Sequence, residues 1–152
     1  MRVRAFAPHP DAEIICAGTL AKYADHGHDV ASVFVTNGEM GSQVMDRMQT
    51  AKIRKDEAFT SASVIKAHFY WMGFADEFLY TEENARLEIL EVIRNFDPNI
   101  IICPDKDNDY HPEKYASPAL NESPDHQALR AAALEAARRN PRMPTPGLPS
   151  SP

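Results

Sequence analysis

Only two of the 152 residues are cysteine, and each sits inside an apolar run, Cys16 in EIICAG and Cys103 in NIIICP. Such surroundings favour buried thiols over a disulfide and a reducing, cytoplasmic compartment. The opening MRVRAFAPHPD holds no apolar stretch of signal-peptide length. No run approaches the roughly 20 apolar residues of a membrane span, so a soluble chain with no membrane partner is expected. Clustered basic residues are missing too. Lys and Arg number 16 against 22 Asp and Glu, for a net charge of -6, and Arg2, Arg4 and Arg138-Arg139 are scattered. A nucleic-acid partner is excluded on that ground. Nothing repeats at a fixed period, which excludes a solenoid. The length fits one compact domain and is too short for two; nothing in the composition excludes a homo-oligomer.

What is there is an alternation of short β-rich runs with helical segments. It predicts an α/β fold, a Rossmann-like parallel sheet flanked by helices in a single layered domain. Strands are expected at Val3 to Phe6, Val30 to Val35, His68 to Met72 and Asn99 to Cys103, the last and most apolar of them central. Helices are expected from about Glu13 to Ala24, Thr50 to Val64, Asn84 to Phe96 and Asp125 to Arg139. Ala51, Ala58, Phe59 and Ala62 are expected on the inner face of the second helix, and Leu87, Leu90 and Ile93 on that of the third. His26-Gly27 and Asp97-Pro98 read as helix stops. The domain is set at residues 1–140, because five prolines between 141 and 152 make the rest a Pro-rich tail.

No G-x-G-x-x-G follows the first strand; the turn there carries Pro8, His9, Pro10 and Asp11. A dinucleotide site would need glycines at that point. In an open parallel sheet the C-terminal ends of the strands share one edge, where ligands bind. His9 and Asp11 follow the first strand, Thr36, Asn37 and Glu39 the second, Asp76 and Glu77 the third, and Asp105, Asp107, Asp109 and His111 the fourth. Any one of these aspartates can be a turn or cap residue, and Asp11 alone can cap the following helix. Capping does not account for His9. A histidine and a carboxylate two residues apart begin a metal site, and His126 in SPDH, at the start of the last helix, can add a second nitrogen ligand. His111 is placed to act as an acid or electrophile above the metal. His26, His28 and His68 fall away from this edge.

These motifs resemble the LmbE-like (PIG-L) family of zinc-dependent N-deacetylases. That family opens on a strand followed by (A/P)-H-P-D-D, often continued A-E-I-x-x-x-G-T-L-A, where this chain reads APHPDAEIICAGTLAKYADHGHDV. The similarity runs on through TNGEMGS, through IRKDEAFTSASVI with its R-x-x-E-A pattern, and through HFYWMGFADEFL with its G-x-x-D turn, covering Met1 to about Tyr110. The resemblance implies one zinc ion held by His9, His126 and a carboxylate, with Asp11 as general base and His111 as catalytic histidine. It implies Arg54 and Asp76 as sugar contacts, and a small-molecule N-acetyl amino sugar conjugate, of the N-acetylglucosamine type, as substrate. Two departures stand out. DAEIICAGTL aligns only if one aspartate beside Asp11 has been dropped, so Asp11 serves as both base and ligand or leaves one role empty. The family's DYHPDH is split here between DYHPEK and SPDH. The rival reading is a pseudoenzyme or sugar-binding module with the same fold.

Overall fold

The computed structural model describes residues 1–79, 83–104 and 124–139. His111 and the Pro-rich segment from 141 onward lie outside the described residues. Four strands, β1 (Arg2–Ala7), β2 (Asp29–Thr36), β3 (His68–Phe74) and β4 (Ile100–Ile102), alternate with helices α1 (Ala17–Asp25), α2 (Arg47–Val64), α3 (Glu83–Phe96) and α4 (Pro124–Arg139). The sheet order is β3-β2-β1-β4 and every pairing is parallel. From β1 the chain steps outward to β2 and β3, then returns to the far side of β1 to lay down β4. The direction of winding therefore reverses between β1 and β4, the point at which open α/β sheets hold their ligands.

Both faces of the sheet are covered. Val3, Ala5 and Val30 pack on Leu20 of α1, and Ala7 and Phe34 on Ala58 of α2. On the opposite face Phe6, Val33 and Val35 meet Ala85, Ile89 and Ile93 of α3 with Leu129, Ala132 and Ala136 of α4. Two covered faces account for the near-continuous apolar runs of β1 and β2. They also correct the expectation that the most apolar strand is central. Among the described residues β4 pairs only with β1. Its run is apolar because Ile101 and Cys103 pack on one core while Ile100 and Ile102 pack on the other. Apolarity reports covered faces, and an edge strand can have both.

One residue on each of two helices falls outside the expected inner face. Phe59 is 58% exposed, packing edge-on against Phe69, while α2 buries the expected Ala58 and Ala62 together with Thr50. Leu87 is likewise exposed, while α3 buries Ala85, Ile89, Leu90 and Ile93. One residue along a helix is a rotation of about 100°, enough to carry a side chain out of a narrow stripe. The expected stops hold: α1 ends at Asp25 with Gly27 at φ 75°, and α3 ends at Phe96 before Asp97-Pro98. Neither cysteine is in a disulfide among the described residues. Among the described residues no helix is long and apolar enough to cross a membrane.

Candidate active site

The described polar residues at strand ends converge on the C-terminal edge of the sheet. His9, two residues past β1, places Nδ1 2.6 Å from Asp76 Oδ1. Asp76, two residues past β3, is 5% exposed. The Thr36 hydroxyl at the end of β2 stands 2.8 Å from the Pro8 carbonyl, 3.1 Å from Asp76 Oδ1 and 3.2 Å from His9 Nδ1. The Met40 amide donates to the second Asp76 oxygen at 3.3 Å. The ends of three strands are thus tied into one hydrogen-bonded unit around the His9 ring.

The start of α4 meets the same edge. Asp125, fully buried, accepts the Glu77 and Leu79 amides at 2.6 and 2.9 Å, which fixes the turn after Asp76. Its neighbour His126 brings its ring to 5.3 Å from that of His9. Sequence reasoning set His126 beside His9 but passed over Asp125, although SPDH presents it next to the histidine; a helix-start aspartate reads as a cap until its amide partners on another loop are known. His26, His28 and His68 are held at the opposite edge, by the Lys22 carbonyl, by the Met1 terminus and Tyr23, and by Asp29.

Asp11 stands apart from this group. Its side chain is 64% exposed, and Oδ2 lies 3.6 Å from Arg54 Nη1 on the wall of the cleft. It makes no side-chain cap to the 3₁₀ turn that follows, and its backbone is at φ 154°, ψ -18°. The cleft, about 250 Å³, is lined by His9, Asp11, Met40, Arg54, Asp76 and Glu77 among others. Gly38 shapes its rim: with φ 65° and an added Cβ only 2.8 Å from Pro10 Cδ, a larger residue would push the 37–41 loop off the His9 turn. Asn37 and Glu39, also marked from the sequence, bond to each other across this loop and hold its shape.

Electrostatics separate the two histidines. Burial of His9 works against its charged form, but the hydrogen bond and charge of Asp76, helped by Asp125 and Asp11, outweigh it and raise its pKa. Burial likewise favours neutral Asp76, yet bonds from His9, Thr36 and Met40 hold its carboxyl below the usual range. Burial, with the charge of His9, lowers the pKa of His126, which favours its neutral form. Burial also pushes Asp125 up, against the two amides that bind it.

His9, Asp76 and Asp125 each offer a ligand atom within 4.8 Å of one another, a group that could hold a metal ion. The spacings assign different parts within it. Ligands around a tetrahedral zinc stand roughly 3.4 Å apart, so the 2.6 Å contact of His9 Nδ1 with Asp76 is a hydrogen bond within the site and not two bonds to one ion. Histidine ligands commonly donate their other nitrogen to a carboxylate in this way. With Nδ1 given to Asp76, a metal bond from His9 has to be made through Nε2. If the group holds a metal, replacing Asp76 by Asn is expected to weaken its binding by about 10- to 100-fold and, because both Asp76 oxygens accept hydrogen bonds, to lower stability as well; titration calorimetry on the folded variant, checked by circular dichroism, reads the first, and unchanged affinity would refute the orienting role.

The reversing α/β sheet thus carries at its C-terminal edge a histidine–carboxylate group that could hold a metal ion. Residues 4–137 match the family described as PIG-L, GlcNAc-PI de-N-acetylase, and the chain belongs to that family. It is 35% identical over 109 residues to a diacetylchitobiose deacetylase of Thermococcus kodakarensis, an alignment covering 68% of this chain and 40% of that protein. It is 28% identical over 139 residues to a mycothiol S-conjugate amidase of Streptomyces coelicolor, covering 74% and 47%. Its structure is similar, at TM-score 0.76 and 27% identity, to that of N,N'-diacetylchitobiose deacetylase from Pyrococcus horikoshii complexed with its inhibitor MPG, covering 90% of this chain and 49% of that one. The chain thus spans about half the length of the relatives it matches.

Proposed function

We propose that this protein removes an acetyl group from a small N-acetylglucosamine-type conjugate, with one zinc ion bound by His9, His126 and Asp11. The observation that carries the reading is the His9–Asp76 bond at 2.6 Å with the second histidine ring, His126, 5.3 Å away. That is an oriented imidazole beside a second imidazole that can bind a metal when neutral. Zinc held there supplies Lewis acidity toward an amide carbonyl and lowers the pKa of water to roughly 7. Asp11, on the wet side of the cleft, is the base that takes the proton of the attacking water. His111, assigned by its resemblance to the family's catalytic histidine, stabilises the charge that develops on the carbonyl oxygen. Arg54, on the wall of the same cleft, supplies a polar contact to the sugar, whereas Asp76, buried and bonded through both oxygens, orients His9 instead. The products are acetate and a free amine.

The exposure of Asp11 and its approach to Arg54 favour a second reading, a sugar-binding module that keeps the cleft without turnover. Acetate release separates the two. The protein incubated with zinc and an N-acetylglucosaminyl conjugate is expected to liberate acetate and a primary amine in equal amounts. Binding of the conjugate without acetate release would support the module and reject the deacetylase.

A further inference from the structure

The turn after β3 places a charged side chain on the cleft where the backbone favours none. Glu77 is held at φ 69°, in the left-handed region that glycine enters freely and other residues enter only under strain. Where β3 itself needs a positive φ, at residue 73, the chain uses glycine, at φ 76°. The conformation at 77 is locked by Asp125, which accepts the Glu77 amide at 2.6 Å and the Leu79 amide at 2.9 Å. A glutamate is thus kept at a position whose geometry suits glycine better.

Its side chain is exposed and lines the cleft with His9, Asp11, Arg54 and Asp76. Those four are paired with one another or with a neighbour. Asp76 bonds His9, and Arg54 lies between two carboxylates, 3.6 Å from Asp11 and 3.7 Å from Glu57. The Glu77 carboxylate makes no hydrogen bond or ion pair among the described residues. The permanent cation of the cleft is therefore already matched, and the open charge on its wall is negative. A concave site with such a wall gathers cations and disfavours anions. An ammonium group brings three donors to a carboxylate that has accepted none, whereas a phosphate brings like charge against it.

We infer that Glu77 sets the charge preference of the cleft, drawing in N-acetyl amino sugar conjugates that carry a second, free amino group and turning away those that carry a phosphate. That these ligands are substrates rests on the function proposed above; the charge preference itself does not.

Affinity and turnover are read separately on the full chain with zinc. NMR titrations use glucosamine, below the pKa of its amine, and glucose 1-phosphate as probes. The unaltered chain is expected to favour glucosamine, and the ratio of the two affinities is expected to fall by ~5- to 20-fold in Glu77→Gln, and to narrow in the unaltered chain as salt is raised. Any coordination of zinc by phosphate is common to both chains and cancels in the comparison. Glu77→Gly is expected to lose the same preference while raising Tm by about 1–3 °C in chelator, which separates loss of the charge from damage to the turn. No preference for glucosamine in the unaltered chain, or no binding of either probe, overturns the inference, as does a ratio unchanged in both variants. A Tm lowered by Glu77→Gly overturns the claim that the glutamate is held there under strain. For acetate release, the ratio of kcat/KM between an N-acetylglucosaminyl conjugate bearing an amine and one bearing a phosphate is expected to fall in Glu77→Gln by the same factor. If no conjugate releases acetate while the affinity ratio behaves as expected, the deacetylase reading falls and the charge preference stands.

Discussion

His9→Ala is expected to strip the protein of zinc and to cut acetate release by on the order of 10³-fold or more. The expectation follows from how the residue is held. His9 sits on the turn leaving β1, its Nδ1 fixed by Asp76 and its ring facing His126. Truncation therefore removes one of two nitrogen donors and leaves Asp76 orienting nothing. The fold should survive: the Asp76 carboxylate keeps the Thr36 hydroxyl and the Met40 amide, so the cost in stability is about 1–2 kcal/mol. Zinc content, acetate release and thermal unfolding together check the result. A variant that still bound one zinc per chain would remove His9 from the metal site.

The second large effect belongs to Asp125, whose carboxylate is held by backbone amides. Asp125→Asn is expected to lower stability by about 2–4 kcal/mol, or Tm by roughly 5–15 °C, even in chelator. Both carboxylate oxygens accept buried or half-buried amides, from Glu77 and Leu79. An asparagine can satisfy only one of them and turns an N–H donor against the other. The same bonds fix the turn that carries Asp76, so loosening them should also weaken zinc binding through His9. If Asp125 served only as a metal ligand, the substitution would leave Tm in chelator unchanged.

Much of the fold was legible in the sequence, for a physical reason. Parallel strands buried on both faces are nearly continuous apolar runs, and VASVFV at 30–35 and NIII at 99–102 are hard to read otherwise. Strand order was not legible, because the covered faces of β4 leave no trace of which edge of it is paired. Helix stripes were legible apart from single residues, as Phe59 and Leu87 illustrate, since several apolar residues compete for one narrow face.

The site divides in the same manner. His9 and His126 could be joined from sequence because the ends of parallel strands and the starts of their helices share an edge. The partnership of Asp76 with His9 could not, since it spans 67 positions and depends on the exact height of β3 against β1. Asp11 fell between. Its motif marked it as functional, but only the backbone reveals that the turn meant to aim it is overwound, with its carboxylate beside Arg54.

The most direct test of the account is the zinc content of the purified chain after incubation with excess zinc and desalting, read by elemental analysis. One zinc per chain, lost in His9→Ala, is the result the account predicts. No retained zinc in the unaltered chain would contradict it, leaving the His9–Asp76–His126 group as the relic of a metal centre.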